Sequence, residues 1–170
     1  MKPKSSLQPY VLLALAWLAF AAYVWWSSAQ LPERVATHFG ANGLPNGWET
    51  HSGYLQFTLI FGAVVPAFVI GLFAIMRLAN GWGLNIPHKD YWLAPERRAE
   101  TMGFIQRQGT WFALLLVAFF AVIHSSILGA NAQAPASLSP TSAIWIGGGF
   151  LAAAGVWVAL FISYFFRKRA

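Results

Sequence analysis

The chain contains no cysteine among its 170 residues. Disulfides, thiolate metal ligands and cysteine nucleophiles are therefore excluded. Charged residues are also scarce, at 9%, whereas soluble domains carry about 25%. Hydrophobic residues make up 58% of the chain, and a soluble fold of this size could not bury that much apolar surface. These shortages identify the chain as an integral membrane protein.

Charge is missing above all from the apolar segments, which contain no Asp, Glu or Lys and only Arg77 at a boundary. Ion-coupled transporters and pumps usually hold ionisable side chains at membrane depth, so a transporter acting alone is not expected. The sequence also lacks the HExxH, GxSxG and phosphate-binding glycine motifs, and no cofactor motif is present. The basic residues lie at segment ends, which is typical of membrane topology rather than of nucleic-acid binding.

Four apolar segments are long enough to cross a bilayer, which takes about 20 helical residues. They cover about residues 9–29, 54–78, 109–130 and 141–166. We therefore predict an all-α fold, with residues 1–170 forming a single transmembrane domain built as a four-helix bundle. The first segment also has signal-peptide features, including small residues at 27–29, but its length and the Trp25-Trp26 pair favour a membrane span.

The basic residues predict the orientation. Ten of the eleven Lys and Arg residues fall at the N-terminus, in residues 77–107 and at the C-terminus. By the positive-inside rule these parts are cytoplasmic. The prediction is a protein of a bacterial cytoplasmic membrane with both termini inside. Residues 79–108 then form a cytoplasmic loop, and residues 31–53 form a structured extracytoplasmic loop.

The outward loop contains two Asn-Gly pairs, Asn42-Gly43 and Asn46-Gly47, which favour tight turns. A compact double turn or a small hairpin is expected there. Its histidines, aromatic residues and turn amide are the candidates for binding a peptide, a lipid or a partner membrane protein. The candidate binding residues are His38, Phe39, Asn42, Trp48 and His51. Alternatively, the aromatic side chains are interfacial anchors.

Three histidines are predicted to lie on the outer side: His38, His51 and His124. Imidazoles are ligands for zinc and similar divalent metals, so a metal site or a metal-dependent enzyme is an alternative. The other interpretation is structural. In that case His38 bonds turn carbonyls, His51 caps the second span and His124 bonds a neighbouring helix. No cofactor is otherwise expected.

Two further features concern lipids and packing. Arg97 and Arg98 are candidates for binding anionic lipid headgroups, or they serve as a topology signal paired with nearby acids. In the fourth segment Gly148, Ala152 and Gly155 share one helix face, which permits close approach of another helix. We expect this face to pack within the bundle, with a dimer contact as the alternative.

The two connecting loops contain several recognisable motifs: LP at 31–32, THF at 37–39, NGLPNGW at 42–48, NIP at 85–87 and YWLAPERR at 91–98. In these motifs the chain resembles a bacterial membrane domain of unknown function, which also forms the N-terminal part of SdpI-type proteins that confer immunity to the sporulation-delaying toxin. The resemblance covers roughly residues 12–107. It implies toxin immunity or envelope-stress sensing.

The sequence thus favours a non-enzymatic membrane protein that binds an extracytoplasmic ligand through residues 31–53. The alternatives are the metal site described above and a small structural subunit of a larger membrane complex.

Overall fold

The computed structural model describes residues 7–167 and is mostly helical. Its helices are α1 Gln8–Ser27, α2 His51–Leu78, α3 Lys89–Trp92, α4 Pro95–Asn131 and α5 Pro140–Phe166, and its strands are β1 Arg34–Phe39 and β2 Pro45–Thr50. A 3-10 turn, Ser28–Gln30, extends α1. Among the described residues, four helices (all but α3) are long and apolar enough to cross a membrane, which confirms the number of predicted spans. Lys2, Lys4, Lys168 and Arg169, which support the predicted orientation, lie outside the described residues.

The long helix α4 lies at the centre of the bundle, where it contacts α1, α2 and α5 as well as strand β1. Two glycines allow the helices to approach closely. A methyl group at Gly62 would overlap the ring of Phe20 on α1, and one at Gly109 of α4 would overlap Phe73 on α2. Because these contacts leave no room for a Cβ, glycine is required on both sides of α2.

Helix α4 begins at Pro95, well before the predicted third span. Proline occupies the first turn, and Glu96 lies close to the helix N-terminus, where a negative charge is favourable. The first turns of α4 pack on the end of α5, where the Trp92 indole donates to the carbonyl oxygen of Phe165 at 2.9 Å. This aromatic core fixes the end of the bundle that lies opposite the hairpin.

The small-residue face of α5 does not pack within the bundle, so that prediction is wrong. Nothing described lies within 4 Å of a Cβ built at Gly148 or Gly155, and Ala152 is exposed. Instead, α5 contacts α4 through aromatic side chains. The Trp157 ring lies 4.7 Å from that of Phe112 between centroids. These large rings provide the contact area and turn the glycine face away from α4.

The segment between α1 and α2 is an antiparallel β-hairpin, which adds a small sheet to the helical fold. Gly43 has a φ of +77° in the turn, as its Asn-Gly pair predicted. The second pair does not form a turn, because Gly47 lies in β2 and pairs with His38. Its missing side chain makes room for the His38 side chain, whose Cβ would lie 2.9 Å from a Cβ at position 47.

Strand β2 leads directly into α2. The Thr50 side chain caps the helix, with its Oγ1 accepting a hydrogen bond from the amide of Gly53 at 3.1 Å. Helix α2 therefore begins at His51, three residues before the predicted span, and continues through Pro66. No connecting residues separate the hairpin from the helix.

Candidate functional site

The imidazole of His124 joins three helices at the hairpin end of the bundle. His124 lies on α4 and is only 1% exposed. Its Nε2 is 2.8 Å from the Oγ of Ser27 on α1. Its Nδ1 is 2.6 Å from the hydroxyl of Tyr54 on α2. Both ring nitrogens are therefore engaged, each with a different helix.

The direction of these hydrogen bonds follows from the donors available. Ser27 donates its one hydroxyl proton to the carbonyl oxygen of Tyr23 at 2.6 Å. Its oxygen can therefore only accept from His124, which places the imidazole proton on Nε2. Nδ1 is then the acceptor for the Tyr54 hydroxyl. With His124 neutral, each hydrogen bond of this network has one donor and one acceptor, and no charge lies in the apolar interior.

Asn131, at the end of α4, holds strand β1 against the bundle. Its Oδ1 accepts from the amide of Ala36 at 2.8 Å, and its Nδ2 donates to the carbonyl oxygen of Ala36 at 2.9 Å. The side chain thus pairs with Ala36 as a neighbouring strand would. Val35 and Ala36 are fully buried, and Val35 packs with Tyr54 and Ile127. The hairpin is consequently seated on α2 and α4.

The other side of the hairpin contacts the loop between α4 and α5. The amide of Leu138 donates to the carbonyl oxygen of Gly43 at 3.0 Å. A side chain at Gly43 would overlap the Leu138 carbonyl oxygen. The hairpin turn, the 131–139 loop and the end of α4 enclose a polar recess, which Asn42 lines. Both loops therefore lie at the same end of the bundle.

Below the hairpin, a cavity of about 510 Å³ lies between α2 and α4. Its volume is in the range of small-molecule binding sites. We call it the hairpin-capped cavity. The hairpin contributes the polar side chains of Thr37, His38 and Glu49, and α2 and α4 add those of Tyr54, Thr58 and His124. The apolar side chains are Phe57, Phe61, Phe120, Ile123 and Ile127. The outward-facing rings of Phe57 and Phe61 are 62% and 43% exposed, so the cavity opens on the flank of the bundle.

Comparison with known protein families gives a match at the hairpin and parts of its two flanking helices. Residues 11–62 match a domain of unknown function (DUF1648). The match covers α1 beyond its first turn, the hairpin and the first part of α2. No curated protein and no solved structure matches the chain. The DUF1648 match therefore includes the hairpin and one wall of the cavity, whereas the other wall, on α4, lies outside it.

The five predicted binding residues are divided among different surroundings. His38 lines the hairpin-capped cavity, and Asn42 lines the polar recess. Phe39 packs against the Val35 cluster, and Trp48 is 45% exposed on the hairpin outside the cavity. The Nε2 of His51 donates to the carbonyl oxygen of Ser28 at 2.8 Å, which ties α2 to the end of α1.

The predicted metal ligands His38, His51 and His124 are not brought together as a metal site. Within residues 7–167, no group of three or more His, Cys, Asp or Glu side chains is arranged to hold a metal ion. The physical reason is that hydrogen bonds use both nitrogens of His124 and the Nε2 of His51. The structural alternative describes His124 correctly, since it bonds neighbouring helices. His38 instead pairs with its neighbour, Thr37, at 3.1 Å.

Arg97 and Arg98 lie at the opposite end of the bundle, where Arg97 contacts Tyr91 of α3 and Arg98 contacts the backbone between α3 and α4. The guanidinium carbon of Arg97 is 3.9 Å from the centroid of the Tyr91 ring. The Nε of Arg98 donates to the carbonyl oxygen of Leu93 at 3.0 Å. These contacts fix the start of α4. Lipid-headgroup binding by the two arginines stays a prediction.

Sequence reasoning missed the roles of Ser27 and Asn131, and it assigned neither Tyr54 nor Glu49 to a hydrogen-bond network or a cavity. Ser27 and Asn131 are polar residues at the ends of apolar segments, and Tyr54 starts one. Each has the polar group that His124 or a buried strand needs as a partner. These polar residues can be seen in the sequence. Which of them pair depends on how each helix is rotated about its axis, and the composition of the segments does not determine that rotation.

The His124 network predicts strong coupling between Ser27 and Tyr54. Ser27→Ala and Tyr54→Phe should each leave one ring nitrogen unpaired and lower the free energy of unfolding by about 1–2 kcal/mol. Because both act on one imidazole, their combined effect should differ from the sum by at least about 0.5 kcal/mol. Denaturing-detergent titrations in mixed micelles measure these values.

The control pair combines Tyr54→Phe with Ser126→Ala. Ser126 is also on α4, but its hydroxyl bonds the carbonyl oxygen of Val122 within its own helix. This pair should be additive. Additive effects of Ser27→Ala and Tyr54→Phe would show that the imidazole does not couple α1 to α2.

Proposed function

We propose that this chain is a non-enzymatic membrane protein that binds a lipid-like amphiphile in the hairpin-capped cavity. The observation that carries the proposal is the division of the cavity lining. Thr37, His38 and Glu49 form the hairpin side of the lining, whereas Phe61 and Phe120, the lining side chains farthest from the hairpin along α2 and α4, are apolar. An amphiphile matches this lining, because its polar head can lie beside the hairpin and its apolar chain beside the aromatic side chains.

The size of the cavity favours a lipid-like ligand over a helical peptide. A helix with side chains is about 10 Å wide, so a volume of about 510 Å³ holds only about one helical turn. A flexible acyl chain fills such a volume and leaves through the open flank. The exposed rings of Phe57 and Phe61 line that exit, where they would contact membrane lipid.

The proposed location is a bacterial cytoplasmic membrane with the hairpin facing outward. The charges of the described residues support this orientation. The hairpin end has Glu33, Arg34 and Glu49, whereas the opposite end has Arg77, Lys89, Arg97, Arg98, Arg107 and Arg167 against three acids. The amphiphile would then enter from the outer leaflet, and envelope sensing is the cellular role that suits this position.

Blocking the cavity tests ligand binding. Ile123→Trp places a large ring in the lining, whereas Val122→Trp adds the same ring one position away and outside the cavity. Native mass spectrometry of protein extracted gently from its own membrane should show a bound amphiphile of several hundred daltons. Ile123→Trp should lose most of that added mass, while Val122→Trp should retain it. Equal retention by both variants would contradict the proposal.

The orientation has a direct test because the chain has no native cysteine. Asn46→Cys places a thiol on the exposed hairpin, and Glu96→Cys places one on the exposed start of α4. In intact cells, a membrane-impermeant maleimide should label Asn46→Cys only. Glu96→Cys should react after lysis. Labelling of Glu96→Cys in intact cells would contradict the proposed orientation and indicate the opposite one.

A second candidate function uses the outer face of the hairpin. Trp48 and Leu44 are 45% and 51% exposed there, and the guanidinium carbon of Arg34 is 5.8 Å from the centroid of the Trp48 ring. An exposed aromatic side chain beside a cation is a common anchor for a peptide. Toxin immunity, the role implied by the resemblance to SdpI-type proteins, would place the peptide on this face.

Cell survival separates the two candidates. If the hairpin face binds a toxin, Trp48→Ala should abolish protection against the sporulation-delaying toxin in sensitive cells that express the protein. Ile123→Trp should then still protect, because its effect is confined to the cavity. Unchanged protection by Trp48→Ala, or no protection by the unaltered protein, would remove toxin immunity as a candidate.

A further inference from the structure

The hairpin-capped cavity has an uneven charge. Glu49 is the one acid among the described residues that line it, and none of those residues is Lys or Arg. The protein as a whole carries a net charge of +6, but its described basic residues other than Arg34 lie at the opposite end of the bundle. The described lining therefore has one carboxylate and no cationic side chain of Lys or Arg beside it.

The position of the Glu49 carboxylate follows from the junction of β2 with α2. Its Oε2 would lie 3.3 Å from a Cβ built at Gly53, so the carboxylate lies beside the first turn of α2. The positive end of the helix dipole favours a carboxylate there. The cation of the hairpin, Arg34, lies over Trp48 instead, and Trp48 is outside the cavity.

The groups beside Glu49 suit a donor-rich cation. Thr37 and His38 line the same end of the cavity and supply a hydroxyl and an imidazole. A primary ammonium has three N–H donors and no acceptor, so it can donate to a carboxylate and to neighbouring polar oxygens or nitrogens. An anionic head would meet the Glu49 carboxylate, and no described lysine or arginine of the lining would balance it.

We infer that the hairpin-capped cavity selects amphiphiles with a cationic amine head, and that Glu49 determines this selectivity. The inference rests on the proposed function and specifies its ligand class. The apolar walls bind the chain of the amphiphile, and the carboxylate binds its ammonium. A lipid with a free amine has this chemistry, and so does the amino end of an apolar peptide.

Two probes with equal chains and opposite charges test the inference. Dodecylamine and dodecanoate are titrated against the full chain in a neutral maltoside detergent, and binding is followed by native mass spectrometry. The unaltered protein should bind dodecylamine about tenfold more tightly, because a charge-assisted hydrogen bond has about that effect. Glu49→Gln should reduce the ratio to near one.

Glu33→Gln is the matched control. This substitution also removes one negative charge from residues 31–53, but Glu33 lies outside the cavity. It should keep the preference for the amine. N-acetyldodecylamine provides a test that needs no variant, since it retains the chain and loses the cation. Its affinity for the unaltered protein should fall about tenfold below that of dodecylamine.

The outcomes separate this inference from the proposed function. If both charged probes bind equally to the unaltered protein and Ile123→Trp blocks both, the cavity binds amphiphiles but the selectivity is refuted. If neither probe binds, or if Ile123→Trp changes nothing, the proposed function itself is refuted. The mass of the native adduct distinguishes an aminolipid from a peptide, and a peptide would overturn the lipid-like assignment.

Discussion

The fold depends on one imidazole that bonds two neighbouring helices in an apolar environment. In a bilayer core no water can replace a lost partner, so a buried polar ring must find its donors and acceptors within the protein. His124 finds them on Ser27 and Tyr54, at 2.8 and 2.6 Å. These bonds set the rotation of α1 and α2 about α4, because each side chain must face the same point.

The position of the hairpin also depends on the pairing of buried polar groups, which here belong to the backbone. Strand β1 has buried backbone groups and, within residues 7–167, only β2 as a neighbouring strand, and Asn131 supplies a pair of hydrogen bonds on its other edge. Once β1 is held on α4 and β2 continues into α2, the hairpin closes the space between these helices. The cavity is thus a result of how the hairpin is anchored, and its polar end is the underside of the hairpin.

The sequence predicted the parts of this arrangement that depend on local composition. Long apolar segments indicated four spans, and Asn42-Gly43 indicated a turn. It could not indicate which polar groups meet, because those contacts join residues far apart in the chain. The metal prediction for His38, His51 and His124 placed three histidines at one end of the bundle but could not show that two already had partners. The small-residue face of α5 was misassigned for a similar reason, since aromatic packing determines the rotation of that helix.

The boundary of the family match runs through the cavity. The matched residues 11–62 supply the hairpin and the α2 wall, and α4 supplies Phe120, Ile123 and Ile127. The matched stretch thus holds Glu49 together with the rings of Phe57 and Phe61, whereas His124 and the apolar side chains of α4 lie beyond it. Substitutions on α4 would therefore change one whole wall of the cavity without altering any residue of the matched stretch.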